Sequence, residues 1–268
     1  MQAFERFNLG TGFSKYFRID AALDDSMRDE VYRIRHEVYC EDLHFEPERA
    51  DRREFDAYDA HSVHCLLRTV NEPFLPVGCT RIVLADPGDL DAPLPFERTC
   101  EGVLDRSIVD PSKLPRERIA EISRLGVRAQ YRRRKGEQQT ECPVSENDFA
   151  TGDQPRFPFV PTSLLLGAVA LADCSGIDTV FVLTEPRLAA HFAKLGVEVR
   201  QIGRPVEHRG LRIPSVMHVD EIIRNRRPIL HPLWHRVREE IGRGFGEARR
   251  DDIERGGAGS HRPDTCAK

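Results

Sequence analysis

Arg118-Ile-Ala-Glu-Ile-Ser-Arg-Leu-Gly-Val-Arg128 alternates apolar and polar residues over most of its length, a period typical of a half-buried β-strand. Two of its polar positions are ionisable, Glu121 and Arg124. On a regular strand Glu121 shares one face with Ser123, while Arg124 points to the other face unless a bulge intervenes. The stretch therefore predicts a strand that carries candidate site residues.

Strands and helices are predicted on both sides of this stretch. Residues 63–69 and 76–84 are strand-like and are separated by a Pro/Asn break, which predicts an antiparallel pair. The further elements, in chain order, are a strand at 13–19, a helix at 25–38, a helix from Thr162 or Ser163 to Cys174, a strand at 179–184, a helix at 186–195, strands at 197–202 and 211–219, and a helix near 232–246. This order predicts an α+β fold with three layers, α/β/α, around a mixed, mostly antiparallel twisted sheet.

Composition excludes several classes of protein. The chain has 268 residues, 40% hydrophobic and 31% charged, with a net charge of −4, so collagen, disulfide-knot and low-complexity classes are ruled out. No apolar run reaches the ~18 residues of a membrane-spanning helix, and the N-terminus does not resemble a secretory signal. Seven cysteines without a CxxC pair indicate a reduced, cytoplasmic chain without structural zinc.

Domain boundaries follow from changes in composition. We expect one main domain over residues 1–225, with a polar, proline-containing insertion loop at about 137–161. Residues 226–250 are expected to form a C-terminal helical extension, and residues 251–268 a disordered tail.

A set of charged and aromatic residues has a specific spacing. An Arg is followed by aromatics four and ten residues later and by acids twenty-one and twenty-four residues later; an Arg on a strand and a Glu-x-x-Arg strand come next. These residues are Arg35, Tyr39, Phe45, Asp56, Asp59, Arg81, Glu121 and Arg124.

With this spacing the chain resembles the acyl-homoserine-lactone synthases over roughly residues 15–220. It is more similar to their relatives, the long-chain N-acyl amino acid synthases and, above all, the acyltransferases associated with PEP-CTERM/exosortase systems. The resemblance implies a GNAT-type acyltransferase fold. It also implies transfer of a fatty acyl group from acyl carrier protein, or from coenzyme A, to the amine of an amino acid or related small molecule, without a tightly bound cofactor.

Two departures distinguish the chain from lactone synthases. Members that use S-adenosylmethionine usually carry Trp where this chain has Phe45, and the 137–161 insertion and the extension after residue 220 make the chain longer. A lactone synthase that uses S-adenosylmethionine is therefore the second hypothesis. A non-catalytic module that binds acyl thioesters is the third.

The predicted catalytic residues are Glu121, Ser123 and Arg124. Acyl transfer to an amine requires a free amine, so a carboxylate must accept or relay a proton, and Glu121 is the candidate. The resemblance implies a bulge within 123–127 whose backbone N–H groups would stabilise the oxyanion. Beside them, an ionic network is expected to join five residues: Arg35, Asp56, Asp59, Arg81 and Arg124. The resemblance implies that four of these, Arg35, Asp56, Asp59 and Arg81, bind the substrate. The alternative is that this network is structural, since buried charges must be paired.

Substrate contacts are predicted on both sides of these residues. The acidic segment 40–61 is expected to close over the acceptor, with Tyr39 and Phe45 packing on it. For the donor, the resemblance implies that the turn after the strand holds the phosphopantetheine phosphate through Val127, Arg132, Arg133, Arg134 and Gly136. The alternative is a solvated basic turn; its charge also suits an acidic carrier protein.

Metal and nucleic-acid sites are not expected. His61-x-x-His64 has no nearby third ligand, so no metal site is predicted. The arginines of the C-terminal region are expected to form a solvated helix face rather than to contact nucleic acid. The expected partners are therefore acyl carrier protein and a small-molecule amine, in a possible exosortase context.

Overall fold

The computed structural model describes residues 8–132 and 158–254, with side chains described up to residue 248. Within these ranges eight strands form one sheet in the order β1-β2-β3-β4-β5-β8-β6, with β7 paired to β8. Every neighbouring pair is antiparallel except β4 and β5, which are parallel. The predicted mixed, mostly antiparallel sheet is therefore confirmed. The strands are β1 Phe17–Ala21, β2 Ser62–Thr69, β3 Pro76–Leu84, β4 Ile119–Val127, β5 Thr179–Thr184, β6 Arg200–Gln201, β7 Val206–Glu207 and β8 Leu211–His218.

Helices cover both faces of the sheet, as the predicted three-layer fold requires. They are α1 Leu9–Ser14, α2 Asp25–Arg35, α3 Pro95–Thr99, α4 Phe159–Cys174, α5 Pro186–Lys194, α6 Val219–Asn225 and α7 His231–Glu254. Short 3-10 turns lie at Ala57–His61, Pro111–Lys113, Arg116–Arg118, Ala129–Tyr131 and Pro228–Leu230.

Alternate residues of the strands supply two different cores. Cys65 and Leu67 of β2 pack with α4 and α7 in the main cluster, whereas Leu66 packs with α2 in a second cluster. Helix α4 is apolar on every side because it is buried between the sheet and α7. The sheet is thus enclosed between α2 on one face and α4 with α7 on the other.

Helix α2 continues into a π-helical segment, His36–Asp42. The 25–38 prediction located the helix but not its widened end. Such π segments are uncommon and are frequent at functional sites. This one buries Tyr39 against the sheet, which brings an aromatic side chain next to β4.

Several predicted elements differ from the structure. The strand expected at 13–19 is present but begins later: α1 occupies 9–14, with the Asn8 side chain accepting a hydrogen bond from the Thr11 N–H, and β1 runs from Phe17 to Ala21. Helix α4 begins at Phe159, so Thr162 and Ser163 are buried within it rather than capping it. The expected strand at 197–202 is reduced to two residues.

The C-terminal region is more ordered than expected. Helix α6 was not predicted, and α7 runs to Glu254, past the boundary placed at residue 250. Leu233 and Val237 of α7 belong to the main core, so this helix packs on the domain. Most of the predicted insertion and the predicted tail from residue 255 lie outside the described residues.

The cysteines only partly match the expectation of a reduced chain. Cys40, Cys65, Cys79 and Cys100 are free and buried. Cys174, by contrast, takes part in a disulfide, which the sequence analysis did not anticipate.

Candidate active site

The parallel strands β4 and β5 separate partway along their length. Their pairing begins at Ile119 and Thr179 and ends at Ile122 and Val182, although β4 continues to Val127. A cavity of about 230 Å³ opens where the strands part, lined by residues 123–125 of β4 and 182–184 of β5. We call this cavity the β4–β5 cleft.

A bulge in β4 shapes one wall of the cleft. Between the pairs Cys79–Gly126 and Arg81–Ser123, two residues of β4 lie opposite the single residue Thr80 of β3. Arg124, one of the two, has a φ of 53°, which is uncommon for a residue other than glycine. This bulge, which the resemblance implied, brings Ser123 and Arg124 to the same cavity rather than to opposite faces of the sheet.

Glu121 is a buried carboxyl group at the base of the cleft. Its Oε2 accepts a hydrogen bond of 2.6 Å from the backbone N–H of Phe96 at the start of α3. The Phe96 ring stacks on Phe181 of β5, with ring centroids 4.5 Å apart, and so fixes that N–H. Burial raises the pKa of Glu121 to about 7, against the opposing effects of this hydrogen bond, Arg81 and Arg124. A carboxyl group with this pKa exchanges protons readily near neutral pH.

An ionic network with Arg35 at its centre lies beside Glu121. Arg35 is fully buried and contacts Glu54 at 2.5 Å and Asp59 at 2.7 Å. Arg81 contacts Asp56 and Asp59, each at 2.8 Å, and its Nε donates to Ser123 Oγ at 3.2 Å. The expected network is therefore present.

Arg124 joins the network to the cleft. It contacts Glu54 at 3.1 Å, Asp56 at 3.2 Å and Glu46 at 3.4 Å. Its guanidinium carbon also lies 5.4 Å from the centroid of the Tyr39 ring, within reach of a cation–π interaction. Arg124 is thus held by several groups at once, which fixes its position on the cleft wall.

The charges of the network are strongly coupled. Burial by itself disfavours ionised Glu54, but Arg35 and Arg124 lower its pKa to about 2. Burial likewise opposes ionised Asp59, and Arg35 with Arg81 nevertheless holds its pKa well below the usual range. Both groups are therefore anions at neutral pH, unlike Glu121.

The cleft is lined by both polar and apolar side chains. The polar ones include Asp56, Arg81, Ser123 and Arg124. The apolar ones include five residues of the main core: Leu125, Leu165, Val182, Phe192 and Met217. A ligand with a polar end and an apolar chain would match this arrangement.

The structure brings together most of the predicted residues. Six of them line the cleft: Tyr39, Asp56, Arg81, Glu121, Ser123 and Arg124. Arg35 and Asp59 do not line the cleft. They lie behind its wall and are bound to each other. The structure thus gives the substrate no direct access to Arg35, although substrate binding was predicted for it. Phe45 packs in the second core with α2 and does not line the cleft. Val127 is buried beyond the cleft, paired with Gly78.

The predicted donor-binding turn is only partly described. The side chain of Arg132 is fully buried and forms an ion pair with Asp42. Arg128 is paired with Glu37 at 2.8 Å. The alternative of a solvated basic turn therefore does not hold for Arg132, because Asp42 of the π segment neutralises it; donor binding by Arg132 stays a prediction. Arg133, Arg134 and Gly136 lie outside the described residues.

Sequence reasoning missed some groups of the site. Glu54 is part of the quoted acidic stretch but was not selected, although it binds both Arg35 and Arg124. Arg209, in the turn between β7 and β8, lines the cleft and forms an ion pair with Glu46. The spacing of Glu54 next to Asp56 could have identified Glu54; no local signal indicated Arg209, because it comes from a distant part of the chain.

His64 has a structural setting rather than that of a metal ligand. It is buried, with Nε2 3.5 Å from Asp59 Oδ1, and burial together with Arg35 lowers its pKa to about 3. In the described ranges, no three His, Cys, Asp or Glu residues are grouped so as to hold a metal ion. The same ranges contain no helix with the length and hydrophobicity needed to cross a bilayer.

Comparisons with known proteins agree with this fold. The sequence model of the acetyltransferase (GNAT) domain family matches residues 34–140. Among solved structures, TofI in a ternary complex with an inhibitor and MTA is 19% identical, with a TM-score of 0.52 over 76% of this chain and 91% of that chain. BjaI with MTA, a CoA-dependent acyl-homoserine lactone synthase, is 20% identical, with a TM-score of 0.52 over 82% of this chain and 89% of that chain.

FeeM, an N-acyl amino acid synthase from uncultured soil microbes, is 14% identical, with a TM-score of 0.49 over 78% of this chain and 94% of that chain. No curated protein matches the chain by sequence. The comparisons give no support to the expected link with exosortase systems. Residues 34–140 therefore match the GNAT domain model, and the fold of the chain is the one found in acyl-homoserine lactone synthases.

Proposed function

We propose that this chain is an N-acyltransferase that moves a fatty acyl group from a thioester to the amine of an amino acid or related small molecule. The observation that carries the proposal is the position of Glu121. A buried carboxyl group with a pKa of about 7 lines a cleft that has both polar and apolar side chains. Such a cleft offers contacts to a polar amine and to an acyl chain beside one group that can accept a proton.

The residues support a direct transfer. The acceptor nitrogen attacks the thioester carbonyl, the C–S bond breaks, and the proton lost by the amine passes through Glu121 to the leaving thiolate. A bulge leaves its extra residue out of the strand ladder, so backbone N–H groups at 124–125 are the candidate donors to the oxyanion. Ser123 and Arg81 position the polar wall, and the apolar wall takes the acyl chain.

The donor is proposed as an acyl thioester of either coenzyme A or acyl carrier protein. The described part of the basic turn is neutralised by Glu37 and Asp42, so it adds no free charge for a carrier protein. Docking of a carrier protein would depend on Arg133 and Arg134. The exosortase context stays a prediction.

A lactone synthase that uses S-adenosylmethionine is the second candidate. The observation that favours it is the fold shared with BjaI, whose structure contains MTA. The two candidates differ in acceptor, and therefore in the mass of the product.

Product identification tests both candidates. The purified chain is incubated with decanoyl thioesters of coenzyme A and of acyl carrier protein, the twenty protein amino acids and S-adenosylmethionine, and products are identified by mass spectrometry. We expect N-decanoyl amino acids. Glu121→Gln should slow transfer by about 10²–10⁴-fold, whereas Glu117→Gln, an exposed residue just before β4, should not.

Each other result has a clear meaning. A decanoyl lactone as the main product would replace the proposal by the second candidate. Binding of the thioester without turnover in the wild-type chain would indicate the non-catalytic module. An unchanged rate in Glu121→Gln would remove Glu121 from its proposed role.

A further inference from the structure

We propose that Arg209 binds the carboxylate of the acceptor and that Glu46 occupies this position in the free protein. The inference rests on the proposed function and makes it more specific, because it selects acceptors that carry both an amine and a free carboxylate.

Arg209 reaches the cleft from the side opposite Glu121. It lies in the tight turn between β7 and β8, where Arg209 and Gly210 have φ values of 55° and 95°. The turn is closed by hydrogen bonds from the His208 N–H to Gly210 O and from the Gly210 N–H to Glu207 Oε1. Because β8 is the neighbour of β5, this turn places Arg209 across the cleft from the β4 wall.

Arg209 has the fewest carboxylate partners of the four network arginines in the described structure. Arg35 and Arg124 each contact three carboxylates within 4 Å, and Arg81 contacts two. Arg209 contacts only Glu46. A guanidinium has five N–H donors in a planar arrangement that matches a carboxylate. Arg209 can therefore donate hydrogen bonds to a substrate carboxylate without breaking the buried network.

Glu46 can be displaced by another carboxylate that takes over its contacts with Arg209 and Arg124. Its side chain is 24% exposed, and it lies in a segment without regular helix or strand. Its backbone is held separately, because the Glu46 N–H donates to Tyr39 O at 3.0 Å. The side chain can therefore rotate away while the segment stays in place, leaving the space beside Arg209 and Arg124 to a substrate carboxylate.

Charge balance favours an acceptor that brings both charges. The network contains four cations, Arg35, Arg81, Arg124 and Arg209, and four carboxylates, Glu46, Glu54, Asp56 and Asp59. When Glu46 turns away, the carboxylate of an amino acid takes its place beside Arg209 and restores this balance. An amino acid ester or amide would bring a cation without its carboxylate, which is unfavourable in a cleft of low dielectric.

Binding of a product pair tests the inference without turnover. N-decanoyl-L-alanine and N-decanoyl-L-alaninamide have the same acyl chain and differ in the carboxylate. In calorimetric titrations, the wild-type chain should bind the acid more tightly than the amide by about 10- to 100-fold, the range expected of a charge-assisted hydrogen bond. Arg209→Gln should remove most of this preference and leave binding of the amide unchanged.

Three further variants make the result specific. Arg209→Lys keeps the charge but loses the planar donor pair, so it should retain part of the preference. Glu46→Gln removes the competing carboxylate and should tighten binding of the acid. Arg204→Gln is the matched control, since Arg204 is exposed on the same segment and does not line the cleft; it should behave as wild type.

Two results would overturn the inference: no preference for the acid in the wild-type chain, or a preference that survives in Arg209→Gln. Both are read from binding alone. Failure of the proposed function would instead show as absence of acyl transfer by the wild-type chain, which is a separate measurement.

Discussion

Glu54 and Glu121 are two buried glutamates, one within the arginine network and one beside it, and their pKa values are shifted in opposite directions. Arg35 and Arg124 bind Glu54 directly and offset its burial, so its pKa falls to about 2. Glu121 has a hydrogen bond from a backbone N–H but no arginine within ion-pair distance among the described residues, and burial raises its pKa to about 7. Environments that separate the pKa values of two like groups are a means of assigning acid–base roles.

This difference predicts the pH dependence of the reaction. Glu121 accepts a proton only when ionised, so kcat at saturating acceptor should rise through about pH 7 as Glu121 loses its proton. Rate profiles of wild type and Glu121→Gln are measured with the same amine. Titration of the amine contributes to both profiles, so the difference between them isolates Glu121. Profiles of the same shape would contradict the prediction.

At the scale of elements, the site depends on local departures from regular geometry. The bulge at Arg124 directs two neighbouring side chains into one cavity, and the π-helical end of α2 places Tyr39 beside it. Close packing holds these elements in place. At Gly167 in α4, an added Cβ would lie 2.6 Å from Cys65 Sγ and 2.8 Å from Ile19 Cδ1, so the helix approaches the sheet more closely than a larger residue permits.

A pair of glycine substitutions tests this contact. Gly167→Ala should lower the free energy of unfolding by about 1–3 kcal/mol through overpacking, even though alanine favours a helix by ~1 kcal/mol. Gly246→Ala in α7 is the control, because no atom lies within 4 Å of its added Cβ; this change should be neutral or stabilise by up to ~1 kcal/mol. Urea denaturation measures both. Stabilisation by Gly167→Ala would show that α4 can move away from the sheet.

At the scale of the whole molecule, the arginine network joins the segment 36–61 to the sheet. Two of its carboxylates, Glu54 and Asp59, have lowered pKa values, so their contribution to stability is present above their ordinary pKa. For Glu54 that contribution is lost as the pH falls from about 4.5 toward about 2. Glu121 acts in the opposite direction: its raised pKa favours the folded state at low pH, and this contribution is lost as the pH rises through about 7.

Removing Arg35 therefore has a pH-dependent cost. Arg35→Gln leaves Glu54 and Asp59 without their main partner and should cost about 3–5 kcal/mol at pH 7, with a smaller cost at pH 3, where protonation relieves the stranded charges. Arg33→Gln removes an exposed pair with Asp29 on the same helix and should cost no more than ~1 kcal/mol at either pH. Urea denaturation at pH 7 and pH 3 gives the unfolding free energy of each variant relative to wild type. The contribution of Glu121 is present in both proteins and therefore drops out of this difference. An equal cost of Arg35→Gln at pH 7 and pH 3 would contradict the assigned charges.

The sequence by itself determined the elements with strong periodicity and five members of the ionic network. Strand β4, the β2–β3 pair and the helical order downstream were predictable from alternation and spacing. Arg35, Asp56, Asp59, Arg81 and Arg124 were predicted as a group from the spacing that resembles the acyl-homoserine-lactone synthases. The strand expected at 13–19 was placed too early, because hydrophobic residues in a short segment do not distinguish a strand from a helix held by a neighbouring helix.

Only the tertiary structure decided which of these residues face the cleft. Burial of Arg35 and Arg132 by acids from other segments depends on how α2 and its π-helical end dock on the sheet, and one-dimensional spacing carries no such information. The raised pKa of Glu121 likewise arises from burial beneath Phe96, which approaches from a long connection. Arg209 and Glu46 are 163 residues apart in sequence, and they form an ion pair in the folded protein. They can meet beside the cleft because the parallel pairing of β4 with β5 ends at Ile122 and Val182, which leaves a space between these two strands.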